Sequence, residues 1–437
     1  MKTVISERRR AFIKLMALGA GGAWQNACSG RKKQAAREEE AYFPKIKDYR
    51  LLGRTGFKVS DLAAGSINDV GVLGAMLDTG VNFIDTAESY PGHHRLVGRA
   101  IKGREREKLF LNTKMLAEGD CSREGFIKRA RKSLEELGTD YVDCMMLHMP
   151  ETVAELKNEA FHAAMEELKA EGRIRFVGLS NHGSFWFKDP KETMEKVLLA
   201  AAEDGRFDVF LMAYNFLQMD QAERVLEVSR RKKIGIALMK TTPVTKYEIL
   251  KSRVEKLEKE GKEVSPFYQE GLKRFREKVE RAEEFIQRHG LKSEEEIRAA
   301  SIRFVLSNPD VHTVCCSVRT YEEMEWAVRL SGTRLNQEDG ASLVSYKKAC
   351  GRFYCRHACG VCELECPEHV PVNTILRYNH YFLAQGREKE ARLKYSQIPG
   401  TRADACMDCP APCEKACPYG VPVQGMLLLA HHQLAGA

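Results

Sequence analysis

Short apolar runs bounded by Gly, Asp or Asn recur eight times between Leu62 and Cys316, and a stretch of helical periodicity follows each. The runs are Leu62–Gly65, Asn82–Ile84, Leu109–Asn112, Val142–Leu147, Ile174–Leu179, Val209–Ala213, Ile234–Leu238 and Thr313–Cys316. Brief continuous apolar segments of this kind suit strands buried on both faces of a parallel sheet. Between them, Arg123–Leu137 and Glu155–Glu171 carry apolar residues at three- and four-residue steps, the pattern of a helix with one buried stripe. Eight strand–helix units in order close into a barrel more readily than they spread into an open sheet. The expected class is therefore α/β, a (β/α)8 TIM barrel over residues 48–335. One interval is irregular. Residues 244–285, charged and helix-forming, separate the seventh and eighth strands on the rim where barrel sites form. They either cover the site as a lid or pack outside it, and the lid is the expectation.

Barrel chemistry sits at the C-terminal ends of strands. Those ends carry Asp85, with Tyr90 five residues on, Lys114 and His148. Singly, each has a bland reading as a cap, a packed ring, a solvated amine or a core histidine. Together they suit carbonyl reduction, in which hydride addition builds negative charge on an oxygen that needs a proton donor. A lysine ammonium ~4 Å from a phenol stabilises the phenolate by about 4 kcal/mol at an effective dielectric of ~20. Asp85 would hold Lys114 charged and oriented, and His148 would polarise the carbonyl by hydrogen bonding. His93 and His94 follow Tyr90 on the rim, where they either touch substrate or are solvated loop residues, and solvation is the expectation.

The stretches GRTGFKVSDLAAG (Gly53–Gly65), VNFIDTAESY (Val81–Tyr90), LFLNTK (Leu109–Lys114), LHMP (Leu147–Pro150) and VGLSNH (Val177–His182) resemble the aldo-keto reductase family over roughly Asp48 to Gly332. The resemblance implies Asp85, Tyr90, Lys114 and His148 as a catalytic tetrad and Ser180 and Asn181 as contacts to a nicotinamide carboxamide. It also implies NADP(H) or NAD(H) as cofactor and a small carbonyl or alcohol as substrate. Three positions depart from the family. Leu211 stands where a glutamine usually binds the carboxamide. Leu238-Met239-Lys240 stands where a tyrosine usually stacks on the ring; Met239 can still contact it through sulfur, and Lys240 resembles what ferredoxin-fused members carry. Cys316-Ser317 replaces a Pro-Gly phosphate turn, with Arg319 close enough to pair with a phosphate. Losing one carboxamide hydrogen bond weakens binding by about 1 kcal/mol, so the dinucleotide site is eroded rather than abolished.

Eight of the 14 cysteines fall between Cys355 and Cys417. They form two runs, CRHACGVCELECP and CMDCPAPCEKACP, with spacings C-x3-C-x2-C-x3-C-P and C-x2-C-x3-C-x3-C-P. Each run has one residue more than the bacterial ferredoxin pattern, in which the fourth cysteine serves the other cluster. The Cys-Pro ends lead into His-Val-Pro-Val and Gly-Val-Pro-Val, so the halves repeat internally. The long helix-forming separation resembles helical ferredoxin domains fused to dehydrogenases. Residues 345–437 are accordingly expected to be a mainly α-helical ferredoxin-like domain with two [4Fe–4S] clusters. If the crossed pattern holds, one takes Cys355, Cys359, Cys362 and Cys417, the other Cys406, Cys409, Cys413 and Cys366. Structural zinc and disulfides are the rival readings. Cys121, Cys144, Cys315, Cys316 and Cys350 read as small buried hydrophobes.

At the N-terminus, Arg9 and Arg10 precede Phe12, Ile13 and Lys14, and a short apolar run, Leu15–Trp24, follows. The run falls short of the ~20 residues that span a bilayer, and the pattern resembles a twin-arginine signal. Residues 1–30 read as this signal and 31–47 as a linker, which gives a periplasmic or other extracytoplasmic protein. Folded export suits a cluster assembled in the cytoplasm. The alternative is a basic N-terminal helix of a cytosolic protein. Cys28 is a candidate lipidation site, although Gln25 stands where a lipobox wants an aliphatic residue; membrane contact is expected only through it. The net charge of +8 gathers in this leader and in mixed-charge helices, with no basic stretch interleaved with aromatics, so no nucleic-acid partner is expected. Two functions remain. One is an oxidoreductase interconverting a carbonyl and an alcohol, fused to a 4Fe–4S module that exchanges electrons with a redox partner protein or is structural. The other is an electron-transfer subunit whose barrel no longer binds nicotinamide and serves as a docking platform.

Overall fold

Eight parallel strands close on themselves: β3 (Leu62–Ala64), β4 (Phe83–Asp85), β5 (Phe110–Leu116), β6 (Val142–His148), β7 (Ile174–Asn181), β8 (Val209–Ala213), β9 (Gly235–Met239) and β10 (Thr313–Cys316), with β10 pairing back onto β3. This is a computed structural model, and it describes residues 43–181, 192–243, 259, 261, 265–274, 280, 284, 293–357, 359–385 and 387–436. The leader, Cys28 and most of the linker and insertion lie outside the described residues. Residues 45–437 form one compact unit. A helix follows each barrel strand, in order α1 (Val70–Asp78), α2 (His93–Ile101), α3 (Arg123–Leu137), α4 (Glu159–Ala170), α5 (Met194–Asp204), α6 (Glu223–Lys232), α7 (Glu294–Leu306) and α8 (Tyr321–Val328). Local chemistry starts them: Asp69, Ser122, Asn158, Thr193 and Thr320 each cap an N-terminus by accepting a backbone N–H, and Ser293 with Glu296 forms a capping box.

The barrel interior explains where the polar residues end up. Side chains alternate along a strand, so residues two apart share a face. Phe83, Phe110, Cys144, Met146, Val209, Leu211 and Ala237 cluster inside, and the Phe83 and Phe110 rings stack at 5.1 Å. An antiparallel hairpin that the sequence reading did not foresee, β1 (Tyr49–Leu51) with β2 (Lys58–Ser60), plugs one end with Leu52 and Val59. Gly178 leaves the space that Met146 and Cys144 occupy; a Cβ there would come within 2.7 Å of the one and 2.8 Å of the other. Two residues beyond this apolar layer, on the same faces, stand Asp85, Asn112, His148, Ser180 and Met239.

Past α9 (Gln337–Cys350), the C-terminal region repeats itself in space as it does in sequence. In the first half Glu363, next to Cys362, accepts from Asn373 N–H at 2.6 Å at the start of α10 (Val372–Gln385). In the second half Glu414, next to Cys413, accepts from Gln424 N–H at 3.0 Å at the start of α12 (Val423–Ala435). The tight turns agree too, Val372 N to Val370 O and Val423 N to Val421 O, both 2.8 Å. Between the halves runs α11 (Glu388–Ser396).

The loop after β8 holds this region to the barrel. Gln218 exchanges two bonds with the His357 backbone at 2.7 and 2.9 Å, Arg356 donates to Leu217 O, Asn215 donates to the Tyr354 hydroxyl, and Tyr419 donates to Asp220. The described part of the insertion packs elsewhere. Residues 266–274 are helical, Tyr268 lies 4.4 Å from the His432 ring, and Ser265 bonds His432 at 2.7 Å. Those residues brace α12, whereas among the described residues the cover over the barrel mouth comes from α10 and the segment after Phe353.

Candidate active site

Register brings the four expected residues together. Asp85 pairs with Asn112 between β4 and β5, Leu116 with His148 between β5 and β6, and His148 with Ser180 between β6 and β7. Lys114 Nζ then reaches both Asp85 oxygens at 2.8 and 2.9 Å and the Thr86 carbonyl at 2.6 Å. Asn112 fixes the carboxylate further by donating to Oδ1 at 2.6 Å. Burial works against the Lys114 charge, but Asp85 and Tyr90 beside it outweigh burial and hold the ammonium above its ordinary range. It lies 5.0 Å from the Tyr90 ring centroid, and His148 meets that ring edge-on at 6.1 Å. Burial, then Lys114, Lys394 and Arg377, drive His148 well below its usual range, so its imidazole is neutral at pH 7.

A cavity of about 190 Å³ opens on Asp85 and Tyr90. Of the residues expected at a cofactor, Met239, Lys240 and Ser317 line it, whereas Ser180 and Asn181 do not. Ser180 is fully buried and its hydroxyl has no partner among the described residues. Asn181 donates to Pro150 O at 3.1 Å. Arg319 lines a neighbouring cavity with Ser317, and its guanidinium bonds Glu323 at 2.8 Å. Leu211 belongs to the interior apolar cluster.

The sequence reading missed the other wall. Tyr354, His357, His380, Tyr381 and Arg387, all from the C-terminal region, line the same cavity. Lys240, at φ 56°, contacts His357 Nδ1 at 2.9 Å, and burial with Arg377 pushes its ammonium well below the ordinary range. Arg387 sits over the Tyr90 ring at 5.4 Å and the Tyr381 ring at 5.0 Å. The available signal was the density of Arg, Tyr and His in RYNHY, Arg377–Tyr381, which a purely structural helix does not need. One further expectation needs correcting. His93 and His94 are not solvated: they open α2 buried, His93 bonded to Thr86 and the Ile67 carbonyl, His94 to Thr113. Cys315, read as a small buried hydrophobe, packs against the interior apolar cluster and also lines the cavity near Asp85 and Lys114.

The eight clustered cysteines gather by neighbourhood into two sets. Cys355 is pushed up by burial and then by Cys362, Cys359 and Cys417, and these four line a common cavity. Cys406 is pushed up by burial and then by Cys413, Cys366 and Cys409. The thiols accept N–H donors, Cys355 from Asn373 at 3.5 Å and Cys366 from Val370 at 3.4 Å. Every described cysteine is free of disulfides. Among the described residues, no three His, Cys, Asp or Glu side chains converge closely enough to hold a single metal ion.

A family model, the aldo/keto reductase family, matches residues 66–348, well over half of the chain. The chain belongs to the aldo/keto reductase family. It is 38% identical over 131 residues to methylglyoxal reductase DkgB of Escherichia coli O157:H7, a match covering 30% of this chain and 46% of that protein. It is 39% identical over 112 residues to an aldo-keto reductase of Mycolicibacterium paratuberculosis, covering 24% and 37%. The chain thus spans less than half the length of either relative. Among solved structures, aldo-keto reductase AKR11C1 of Bacillus halodurans shares the fold at TM-score 0.51 and 22% identity, over 70% of this chain and 96% of that one. The C-terminal cysteine region after residue 348 lies beyond the family match.

Proposed function

We propose that the protein is a carbonyl-reducing oxidoreductase in which Tyr90 protonates the carbonyl oxygen as hydride reaches the carbon. The observation that carries this is the Lys114–Asp85 pair at 2.8 Å beneath the Tyr90 ring, with neutral His148 at the ring's edge. In a dry site a fixed ammonium stabilises the developing phenolate far more than water could. Neutral His148 donates a hydrogen bond to the carbonyl oxygen without adding charge. Met239, Lys240 and Ser317 are candidates to hold NADP(H) or NAD(H), which supplies the hydride, with Ser180 and Asn181 toward its carboxamide. The orphaned Ser180 hydroxyl supports this, since buried polar groups are nearly always partnered. The name of the E. coli relative favours a small carbonyl substrate.

The two sets of four neighbouring thiols, with one thiol in each accepting an N–H donor, support a pair of [4Fe–4S] clusters in the crossed arrangement. Such clusters supply one-electron transfer. The residue order Arg9-Arg10 with an apolar run behind it supports export through the twin-arginine route, and Cys28 lipidation would add a membrane tether. A specific observation favours the second reading, an electron-transfer subunit without nicotinamide: Lys240, at the cofactor wall, is engaged by His357 of the cysteine region.

Both readings meet one experiment on protein purified without oxygen. Iron and labile sulfide are counted, NADPH is titrated by fluorescence, and carbonyl turnover is compared between wild type and Tyr90→Phe. The expected result is one-to-one dinucleotide binding and a loss of about a hundredfold or more in turnover with cluster absorbance unchanged. Undiminished turnover removes Tyr90 from its role; about eight irons with no dinucleotide binding replaces the reductase with the electron-transfer subunit.

A further inference from the structure

Tyr90 does not stand on a strand. It belongs to the loop between β4, which ends at Asp85, and α2, which starts at His93. What fixes the phenol there begins with the strand ladder, which runs on past the end of β4. Thr86 N–H donates to the Asn112 carbonyl at 3.0 Å and Glu88 N–H to the Lys114 carbonyl at 3.1 Å, the even spacing of a parallel pair. One step further, the same pattern would have Leu116 N–H donate to the Glu88 carbonyl. It donates instead to Oε1 of the Glu88 side chain, at 2.9 Å. The carboxylate takes over the acceptor role of its own backbone, so the chain can turn away from β5 at this point without abandoning the Leu116 donor. Tyr90 N–H then closes a turn onto the Ala87 carbonyl at 3.1 Å, and the Tyr90 carbonyl accepts from His93 N–H at 3.1 Å.

The carboxylate is itself held. Arg129, in the middle of α3, donates through Nε to Oε2 of Glu88 at 3.0 Å and through a second nitrogen to Oε1. The same guanidinium donates to the carbonyls of Leu116 at 2.7 Å and Glu118 at 3.0 Å. One fork therefore ties the loop that bears Tyr90 to the far end of the strand that bears Lys114. A guanidinium gripping a carboxylate through two nitrogens fixes direction as well as distance. An ion pair on open surface does little of either; this one is half-buried, and Leu116 itself lines the space beside Tyr90 and His148. Next to Glu88, Ser89 Oγ lies 3.5 Å from His148 Nδ1, so both neighbours of the anchored residue meet the catalytic group.

We propose that Glu88, locked by Arg129, is the positioning residue that holds Tyr90 over Lys114 for proton transfer. The proposal rests on the reading of Tyr90 as the proton donor. Glu88 lines neither cavity beside Tyr90 and acts through the backbone. Two peptide units separate it from Tyr90, so a shift at Glu88 passes to the ring. Misplacing a reacting group by about 1 Å can cost about a hundredfold in rate.

The test is steady-state reduction of glyceraldehyde by NADPH with the full-length protein purified without oxygen. Glu88→Ala is expected to lower kcat at least tenfold with KM within twofold, because the contacts that bind substrate are untouched. Glu88→Gln keeps an oxygen for Leu116 N–H and is expected to recover most of that loss. On top of Tyr90→Phe, Glu88→Ala is expected to cost less than twofold, since a residue acting only through the phenol then has nothing left to place. A part in stability alone would multiply the two losses, and that result overturns the proposal, as does an undiminished kcat in Glu88→Ala. Fluorine NMR separates this from the reductase reading. Fluorotyrosine placed at position 90 is expected to give one sharp signal in the wild type and a broadened or split one with Glu88→Ala. If Tyr90→Phe keeps full turnover while Glu88→Ala still broadens the signal, the positioning role stands and the proton donor is another group. If Tyr90→Phe abolishes turnover while Glu88→Ala leaves signal and kcat unchanged, the positioning role fails and the reductase stands.

Discussion

The two halves of the cysteine region share one plan and face different neighbours. In both, a Cys-Glu pair closes onto the start of a helix ten residues on, and a Val-Pro-Val turn leads into it. In the first half the helix is VNTILRYNHYFLAQ, and its polar face lies over Tyr90 and His148. In the second it is VQGMLLLAHHQLA, and it packs Leu429 and His432 against Gly271 and Tyr268 of the insertion. Where the first half carries Arg377, Tyr378 and Tyr381, the second carries Leu428, Leu429 and His432. A duplicated scaffold constrains the turn, the cap and the cysteines. The helix face turned to its neighbours is what differs, and it differs according to what it meets.

The largest effect expected from this comparison comes from the crossing of ligands. Cys417 belongs to the second run by sequence but neighbours Cys355, Cys359 and Cys362. If the two cysteine sets hold the proposed clusters, Cys417→Ser should lose the same cluster as Cys355→Ser, dropping iron from about eight to about four per chain. Cys406→Ser should lose the other. Electron paramagnetic resonance of the reduced variants decides it: a Cys417→Ser spectrum matching Cys406→Ser would mean each run serves its own cluster. Next in size is the exchange at the helix face. Leu428→Arg buries a charge that nothing there was built to pair, so a loss of about 3–5 kcal/mol is expected in urea unfolding. The reverse change, Arg377→Leu, should cost under about 2 kcal/mol, because apolar side chains often replace buried charge without loss. Equal losses would show that both positions serve packing alone.

How far the sequence could be read tracks the same distinction. The barrel was legible because strand alternation and helix periodicity are local: β8 and β10 have the expected bounds, Val209–Ala213 and Thr313–Cys316. β5 ran on to Leu116, four residues past the expected end, since Lys114 with an aliphatic stem prolongs a strand that polarity alone would stop. Asp85, Lys114 and His148 were legible because they fall toward the C-terminal ends of three consecutive strands, and Tyr90 because it follows Asp85 by five residues. The wall made by Arg377, Tyr381 and Arg387 was not, because its approach to Tyr90 spans almost 300 residues of sequence and is set by how α10 docks. The β1–β2 hairpin was missed for a plainer reason: three-residue strands with exposed Tyr49 and Leu51 carry no periodic signal.

The smallest predicted effect uses another aligned pair, His380 and His431. His380 faces His357 and lines the cavity that opens on Tyr90. His431 packs on Phe267 at 4.7 Å, and its Nδ1 lies 2.6 Å from the Tyr395 hydroxyl. With Nδ1 as acceptor, the Tyr395 O–H donates, and a proton on that nitrogen would break the bond. Burial lowers the His431 imidazole below its ordinary value, with Asp404 opposing and Arg402 adding to the effect. The unfolded chain then takes up this proton first as pH falls below ~6.5, so the native state loses stability on acidification and keeps it at higher pH. His431→Gln retains an acceptor without a titrating group. Between pH 7 and pH 5 the wild type should lose about a few tenths of a kcal/mol more than the variant, a full unit of slope being cut by the half-exposed setting. Urea midpoints measured at both pH values give the difference, and parallel losses would mean that the second half tolerates a charge on the face where the first half carries one.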